Sequence, residues 1–313
     1  MSLNKPIYKL RDWVYKNRDK LDWGLLCLNP NPATIQFLEN NYDKIKWNYL
    51  VLNDNAINLL KNNLDKIKID YWVLLSSKSN AISLLQKNQD KIDWKFLSFN
   101  KNAIHLLSDN KDKINWSNLS ANPNAISLLE ENIDKINWYN LSRNPNAISL
   151  LEKNQDKICW ESLSVNENAI SLLEKNPDKI DWSNLSFNKN AIKLLIQNRN
   201  KINWDNFSFN SNPEAISILK QNYDYIYWKG LSRNPQGIEL LEENQDKIDW
   251  KFLSKNPSIF QLDYEAMKNN ESYLKLEEEL IKEVMKPSRV FKNYNDNNNN
   301  EDGYDYLEEL FGD

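Results

Sequence analysis

The sequence predicts an all-α fold, an α-solenoid of about ten two-helix repeats of 22 residues with atypical helical caps at both ends. Three observations carry this. Tryptophan recurs at an unbroken interval of 22 residues through Trp72, Trp94, Trp116, Trp138, Trp160, Trp182 and Trp204, and slightly out of step at Trp23, Trp47, Trp228 and Trp250. A fixed period in this range marks a stacked repeat rather than one closed core. Each unit carries its own helix start and stop signals. The irregular spacings fall between the expected helices, where a repeat tolerates them.

Written from the tryptophan, the unit reads W-x-x-L-S-x-N-P-N-A-I-S-L-L-E-K-N-x-D-K-I-x, cleanest from Trp138 to Cys159. In the A helix, Asn144 offers a cap, Pro145 sits where a missing N–H costs nothing, and Ala147, Ile148, Leu150 and Leu151 form an apolar face. Asn154 tolerates a left-handed closing conformation, so the spacing predicts a helix of about nine residues. The shorter B helix starts at the tryptophan. Asp or Asn stands at its cap position at 22, 93, 115, 137, 181, 203 and 249, while Lys46, Tyr71, Cys159 and Tyr227 depart from it. Ile180 and Leu185 flank one such cap as a hydrophobic staple. Two residues are added before the A helix in Leu28–Ile35 and Phe209–Ile216, and a third insertion precedes the B helix in Asp65–Trp72. The competing leucine-rich repeat needs an L-x-L strand, which the unit lacks.

Ten units occupy residues 23–249. Residues 1–22 read as an N-terminal helical cap and 250–292 as a C-terminal one, because a repeat stack must hide its open ends. The terminal unit breaks down at Asn256-Pro257-Ser258-Ile259-Phe260, and Asp263 to Met285 shows helical spacing. Residues 293–303 form an Asn-rich linker. Residues 304–313 form an acidic amphipathic tail, with Tyr304, Leu307, Leu310 and Phe311 as its candidate docking motif. Such a peptide suits either docking back on the chain or entering a partner's groove.

The formal net charge is −4. From Asp263 to Asp313 there are 14 acidic and 6 basic residues, a balance of −8, which leaves +4 on the remainder. That is far from the field of a dedicated nucleic-acid binder. Two cysteines, Cys27 and Cys159, argue for a reducing compartment. The N-terminus shows no apolar signal segment and no run of 18 apolar residues occurs, so no membrane association is expected.

The recurring tryptophans invite a base-stacking reading. Their regular company of Ile and Leu favours core positions instead. The repeated Asp of each D-K pair is read as a turn cap partly neutralised by its lysine, since one carboxylate per repeat cannot build a calcium cage. The repeated serines (Ser98, Ser120, Ser142, Ser164, Ser186) have no paired base and read as polar helix ends, and the single His105 reads as a solvent residue. With no phosphate loop and no metal-ligand cluster, no enzyme, metal or cofactor is expected.

Positions 2 and 3 of each unit vary freely, and position 6 mixes apolar with basic residues. The candidate interaction surface is therefore Lys95, Phe96, Tyr139, Arg143, Lys229, Arg233, Lys251 and Phe252.

The repeat, with its closing Asn256-Pro257-Ser258-Ile259-Phe260 and the later Met285-Lys286-Pro287-Ser288-Arg289, resembles a family of repeat proteins of large DNA viruses infecting amoebae and algae. Lys286 stands where members commonly have His, and polyasparagine interrupts a segment continuous in them. The resemblance implies a viral protein of the host cytoplasm or viral factory and supplies no site residues. The expected function is a non-enzymatic scaffold or adaptor for a protein partner, monomeric outside its complex. The alternatives are an RNA-binding or translation/replication-complex component, or a virion structural component.

Overall fold

A computed structural model describes residues 6–268. Residues 10–260 form one unit; of the described residues, 6–9 and 261–268 belong to a second. The first is an all-helical repeat stack, as the 22-residue period predicts.

The cleanest repeat contains three short helical pieces rather than two. Its B helix spans Trp138–Arg143, its A helix Ile148–Glu152, and a 3₁₀ turn Gln155–Lys157 closes it. The B-helix caps follow the sequence. The side chains of Asp22, Asp93, Asn115, Asn137, Asp181, Asn203 and Asp249 each accept the backbone N–H three residues on. Lys46, Cys159 and Tyr227 make no such bond. Tyr71 lies inside a B helix lengthened at its start, Ile69–Ser76, which absorbs the third insertion.

The A helix is shorter than expected. Asn144 has extended backbone (φ −73°, ψ 118°), and its side-chain oxygen accepts from Asn146 N–H at 3.0 Å, so Asn-Pro-Asn forms a turn. A nine-residue A helix occurs at Pro213–Gln221, where the inserted residues separate Asn210 from a dedicated cap, Asn212. Nor is Asn154 left-handed, its φ being −133°. It closes the A helix with its side chain, Nδ2 donating to the Leu150 carbonyl at 2.9 Å.

The core is built of small and aliphatic side chains. Leu119, Leu129, Leu141, Leu151, Leu163 and Leu173 are fully buried beside Ala125, Ala147 and Ala169. The expectation of core tryptophans is corrected. Trp13 and Trp72 are buried, but the others are half-buried at the edge of the stack. In nine units the turn lysine lies over the indole, from Lys113 above Trp94 at 4.4 Å to Lys157 above Trp138 at 5.0 Å. The lysine of each D-K pair thus covers tryptophan instead of neutralising its neighbour. Lys66 is an exception, pairing with Asp65 at 3.0 Å.

Repeats are joined by side-chain amides. Asn144 Nδ2 donates to two carbonyls of the preceding repeat, Ser120 at 3.1 Å and Asn122 at 2.9 Å. Asn122, Asn166, Asn188, Asn210 and Asn256 do the same. A parallel ladder at position 9 includes Asn146 donating to the Pro123 carbonyl at 2.9 Å. The serines are relays rather than mere helix ends. Ser142 Oγ donates to its own Trp138 carbonyl at 2.7 Å and accepts Cys159 N–H of the same unit at 3.0 Å, and the residue is fully buried. Cys27 fills the serine position in the first unit, its Sγ accepting Lys46 N–H at 3.4 Å. Burial dominates there and raises the thiol above its ordinary pKa.

These ladders do not end; they close. Asn29 Nδ2 donates to the carbonyls of Ser254 at 3.0 Å and Asn256 at 2.8 Å, as any interior rung binds its predecessor. Asn31 reaches the Pro257 carbonyl, and Asp22 N–H donates to Ser254 Oγ. The eleventh unit is split between the two ends of this body. Trp250–Leu253 supplies its B helix, Asp12–Lys16 its A helix and Arg18–Lys20 its 3₁₀ turn. Lys20 lies 5.0 Å above Trp250, Asn17 donates to the Trp13 carbonyl, and Trp13 packs edge-on against Trp250 at 6.0 Å. Where a peptide bond would join the halves, Arg11 N–H donates to the Ile259 carbonyl at 2.8 Å. The atypical ends predicted as caps over an open stack therefore complete each other. Their sequence departs from the consensus because this repeat must form across a chain break.

In the second unit, Asp263 N–H donates to the Ile7 carbonyl at 2.9 Å, and a helix spans Tyr264–Lys268. Strands β1 (Tyr8–Leu10) and β2 (Phe260–Leu262) pair in a two-stranded sheet, where the sequence suggested only helices. The rest of the expected C-terminal helix, the linker 293–303 and the tail residues Tyr304, Leu307, Leu310 and Phe311 lie outside the described residues. Among those described, no helix is long and apolar enough to cross a membrane.

Candidate interaction surface

B helices of successive units pack directly against one another, more closely than the A helices do. In a closed ring the closer-spaced row is the inner one, so the B helices line the inner side. Positions 2 and 3 lie on this helix; position 6 is its last residue in Trp138–Arg143 and Trp228–Arg233 and follows its end in the other units.

The four position-2 candidates, Lys95, Tyr139, Lys229 and Lys251, are exposed, Tyr139 by half its surface. Position 3 is not. Asn118, Asn140, Asn184 and Asn206 donate from it to position-2 carbonyls of the preceding repeat, at 2.8–3.2 Å. Phe96 and Phe252 occupy that same position and are half-buried; Lys229 lies 4.7 Å over the Phe252 ring. Phe252 thus meets a side chain of the preceding repeat, and Phe96 is half-buried at the same position. Their variability reflects several ways of filling one groove, and Gly230 illustrates it: a Cβ there would meet the Phe209 ring at 2.9 Å.

Position 6 brings side chains of neighbouring repeats together, the rings of Phe187 and Phe209 lying 5.7 Å apart. Arg143 and Arg233 are exposed, and Lys255 is half-buried. Burial first, then the positive charges of Arg233 and Lys78, depress the Lys255 pKa below the ordinary lysine value. Lys78 stands where the main asparagine ladder would place Asn and pairs with Asp54 at 3.0 Å. Among the described residues, Arg143, Arg233 and Lys255 form no ion pair. Sequence reasoning found Arg233 but missed Lys78; the signal was its break in the Asn-Pro-Asn pattern.

A second break was also missed. At Asp224-Tyr225-Ile226 the turn lysine is replaced by Tyr225, whose ring stacks on Trp204 with centroids 5.4 Å apart and planes 22° from parallel. A cleft of about 430 Å³ opens there, lined by Asn203, Trp204, Asp205, Asp224, Tyr225, Ile226 and Tyr227.

His105 is exposed on its A helix beside Gln86. No group of three or more His, Cys, Asp or Glu side chains among the described residues could hold a metal ion. Comparisons of the chain with protein-family models, curated proteins and solved structures yield no match.

Proposed function

We propose that this chain is a non-enzymatic scaffold, a rigid ring that presents variable side chains to a protein partner. One observation carries the reading: recurring Asn side chains join the repeats and recurring Ser, Lys and Trp side chains are engaged within them, while the variable position 2 is exposed at Lys95, Tyr139 and Lys251. A surface that varies over a fixed frame is what recognition requires. The viral resemblance supports action in a host cytoplasm or viral factory. Affinity capture from host extract tests the reading, comparing wild type with the folded triple variant Lys95→Glu, Tyr139→Ala, Lys251→Glu. A specific partner lost from the variant is the expected result, and an unchanged set of captured proteins would count against it.

The basic group of Lys78, Arg233 and Lys255 favours a second reading, RNA binding through phosphate contacts. Single-stranded RNA should then bind at low ionic strength and weaken with Arg233→Glu and Lys255→Glu. Absence of low-salt binding removes this reading.

A further inference from the structure

The fold repeatedly builds one small recognition event into itself: an ammonium group placed on an indole. Of the eleven units, nine supply that cation from their own turn. At Trp47 the ring is instead met edge-on by Tyr42 at 5.7 Å. At Trp204 the cation is replaced by Tyr225, which extends the aromatic surface outward and is 60% exposed.

The charges around Tyr225 have the sign a cation would need. Asp205 and Asp224 line the cleft, and neither carboxylate is in an ion pair among the described residues. Nearby lysines are committed elsewhere. Lys201 covers Trp182; Lys247 covers Tyr223 and Trp228 and donates to the Tyr223 hydroxyl at 2.9 Å. An aromatic face flanked by two unpaired carboxylates attracts cations through both the ring quadrupole and charge.

We propose that the Trp204–Tyr225 cleft is a docking site for an arginine side chain in a basic segment of a protein partner. The planar guanidinium matches the Tyr225 ring in shape, and its forked donors can address Asp205 and Asp224 together. The partner supplies in trans the cation that other repeats supply in cis. The proposal deepens the scaffold reading by naming the chemistry of one contact.

The test uses the full chain and a fluorescently labelled peptide of alternating arginine and glycine, with binding followed by anisotropy at low ionic strength. Tyr225→Lys restores the lysine of the other repeats and should fold, filling the site with an internal ammonium. Asp224→Asn removes one carboxylate. Asp112→Asn, at the equivalent turn position of a lysine-covered repeat, controls for net charge. Losing the exposed Tyr225 face and placing a competing ammonium beside the two carboxylates corresponds to roughly a fivefold or greater drop in affinity for Tyr225→Lys, and losing one carboxylate to a smaller drop for Asp224→Asn. Asp112→Asn should stay within about twofold of wild type on the same scale. Wild type that fails to bind, or equal affinity across the three variants, overturns the site. If Tyr225→Lys does not fold, Asp224→Asn against Asp112→Asn decides. Failure here, with partner capture still lost on changing Lys95, Tyr139 and Lys251, would remove this site and leave the scaffold reading standing.

Discussion

Replacing Asn29 by alanine should destabilise the protein as much as replacing Asn144, although one lies near the start of the chain and the other in mid-array. Asn144 donates at 3.1 and 2.9 Å to the carbonyls of Ser120 and Asn122. Asn29 donates at 3.0 and 2.8 Å to those of Ser254 and Asn256. Both residues are buried, as are the carbonyl-bearing residues they reach. Each truncation leaves one buried carbonyl, that of Ser120 or Ser254, without its donor and removes one of two donors from the other, that of Asn122 or Asn256, which keeps a backbone N–H; a loss of roughly 1.5–4 kcal/mol is expected from either. Asn146→Ala is the internal comparison. Its bond to the Pro123 carbonyl is exposed, water can replace it, and about 1 kcal/mol or less should be lost. Urea unfolding followed by far-ultraviolet circular dichroism and tryptophan fluorescence measures all three. In an open solenoid Asn29 would face solvent and its loss would be small. A change below ~0.5 kcal/mol for Asn29→Ala beside a large one for Asn144→Ala would therefore refute closure of the ring.

Other perturbations separate the remaining contacts. Ser162 takes the place of a position-3 asparagine and leaves its buried hydroxyl without a partner; Ser162→Asn should reach the Tyr139 carbonyl and stabilise by about 0.5–1.5 kcal/mol in the same unfolding assay. Lys157→Ala uncovers Trp138 and should cost about 0.5–1 kcal/mol, with a changed indole emission spectrum. The Cys27 thiol has a raised folded-state pKa, so its contribution is fully present below the unfolded value and is lost as pH rises through the folded one; Cys27→Ser should flatten stability in that alkaline window. For Lys255 the depressed pKa means that its charged form is penalised in the fold, by burial first and then by like charges. Stability should climb with pH through that lowered value, and Lys255→Met should remove the climb in an unfolding titration.

Much of the fold was legible because the repeat states its local rules many times. The cap assignments at Asp22, Asp93 and Asn137 rested on chemistry within three residues, and the structure reproduces them. The length of the A helix was misread because Asn144 has more than one use. Locally it resembles an N-cap, while its amide donors are directed to another repeat 22 residues away. A single copy of the motif contains no sign of that. The Ser142 relay was hidden for the same reason, with an i−4 bond masking a reach to Cys159. Closure was partly visible. Asn17, Asp19, Lys20 and Asp22 follow the last third of the repeat, but no tryptophan stands at the first position of their unit until Trp250 is brought beside them. At the candidate surface, variability alone could not separate exposed Lys95 from half-buried Phe96. The more informative residues were the breaks in pattern, Lys78 and Tyr225.

The composite repeat made by Trp250–Ile259 and Arg11–Asp22 also governs how this sequence can evolve. Tandem identical segments invite unequal recombination, which adds or removes whole units. An open array absorbs such events by growing longer or shorter. Here the two half-repeats meet at one circumference, so gaining or losing a unit displaces Arg11 from Ile259 and Asn29 from Ser254 at once. Copy number thus becomes a selected trait. A closed ring accommodates substitution within its units more readily than a change in their number, and the pattern breaks at Lys78 and Tyr225 are of that kind.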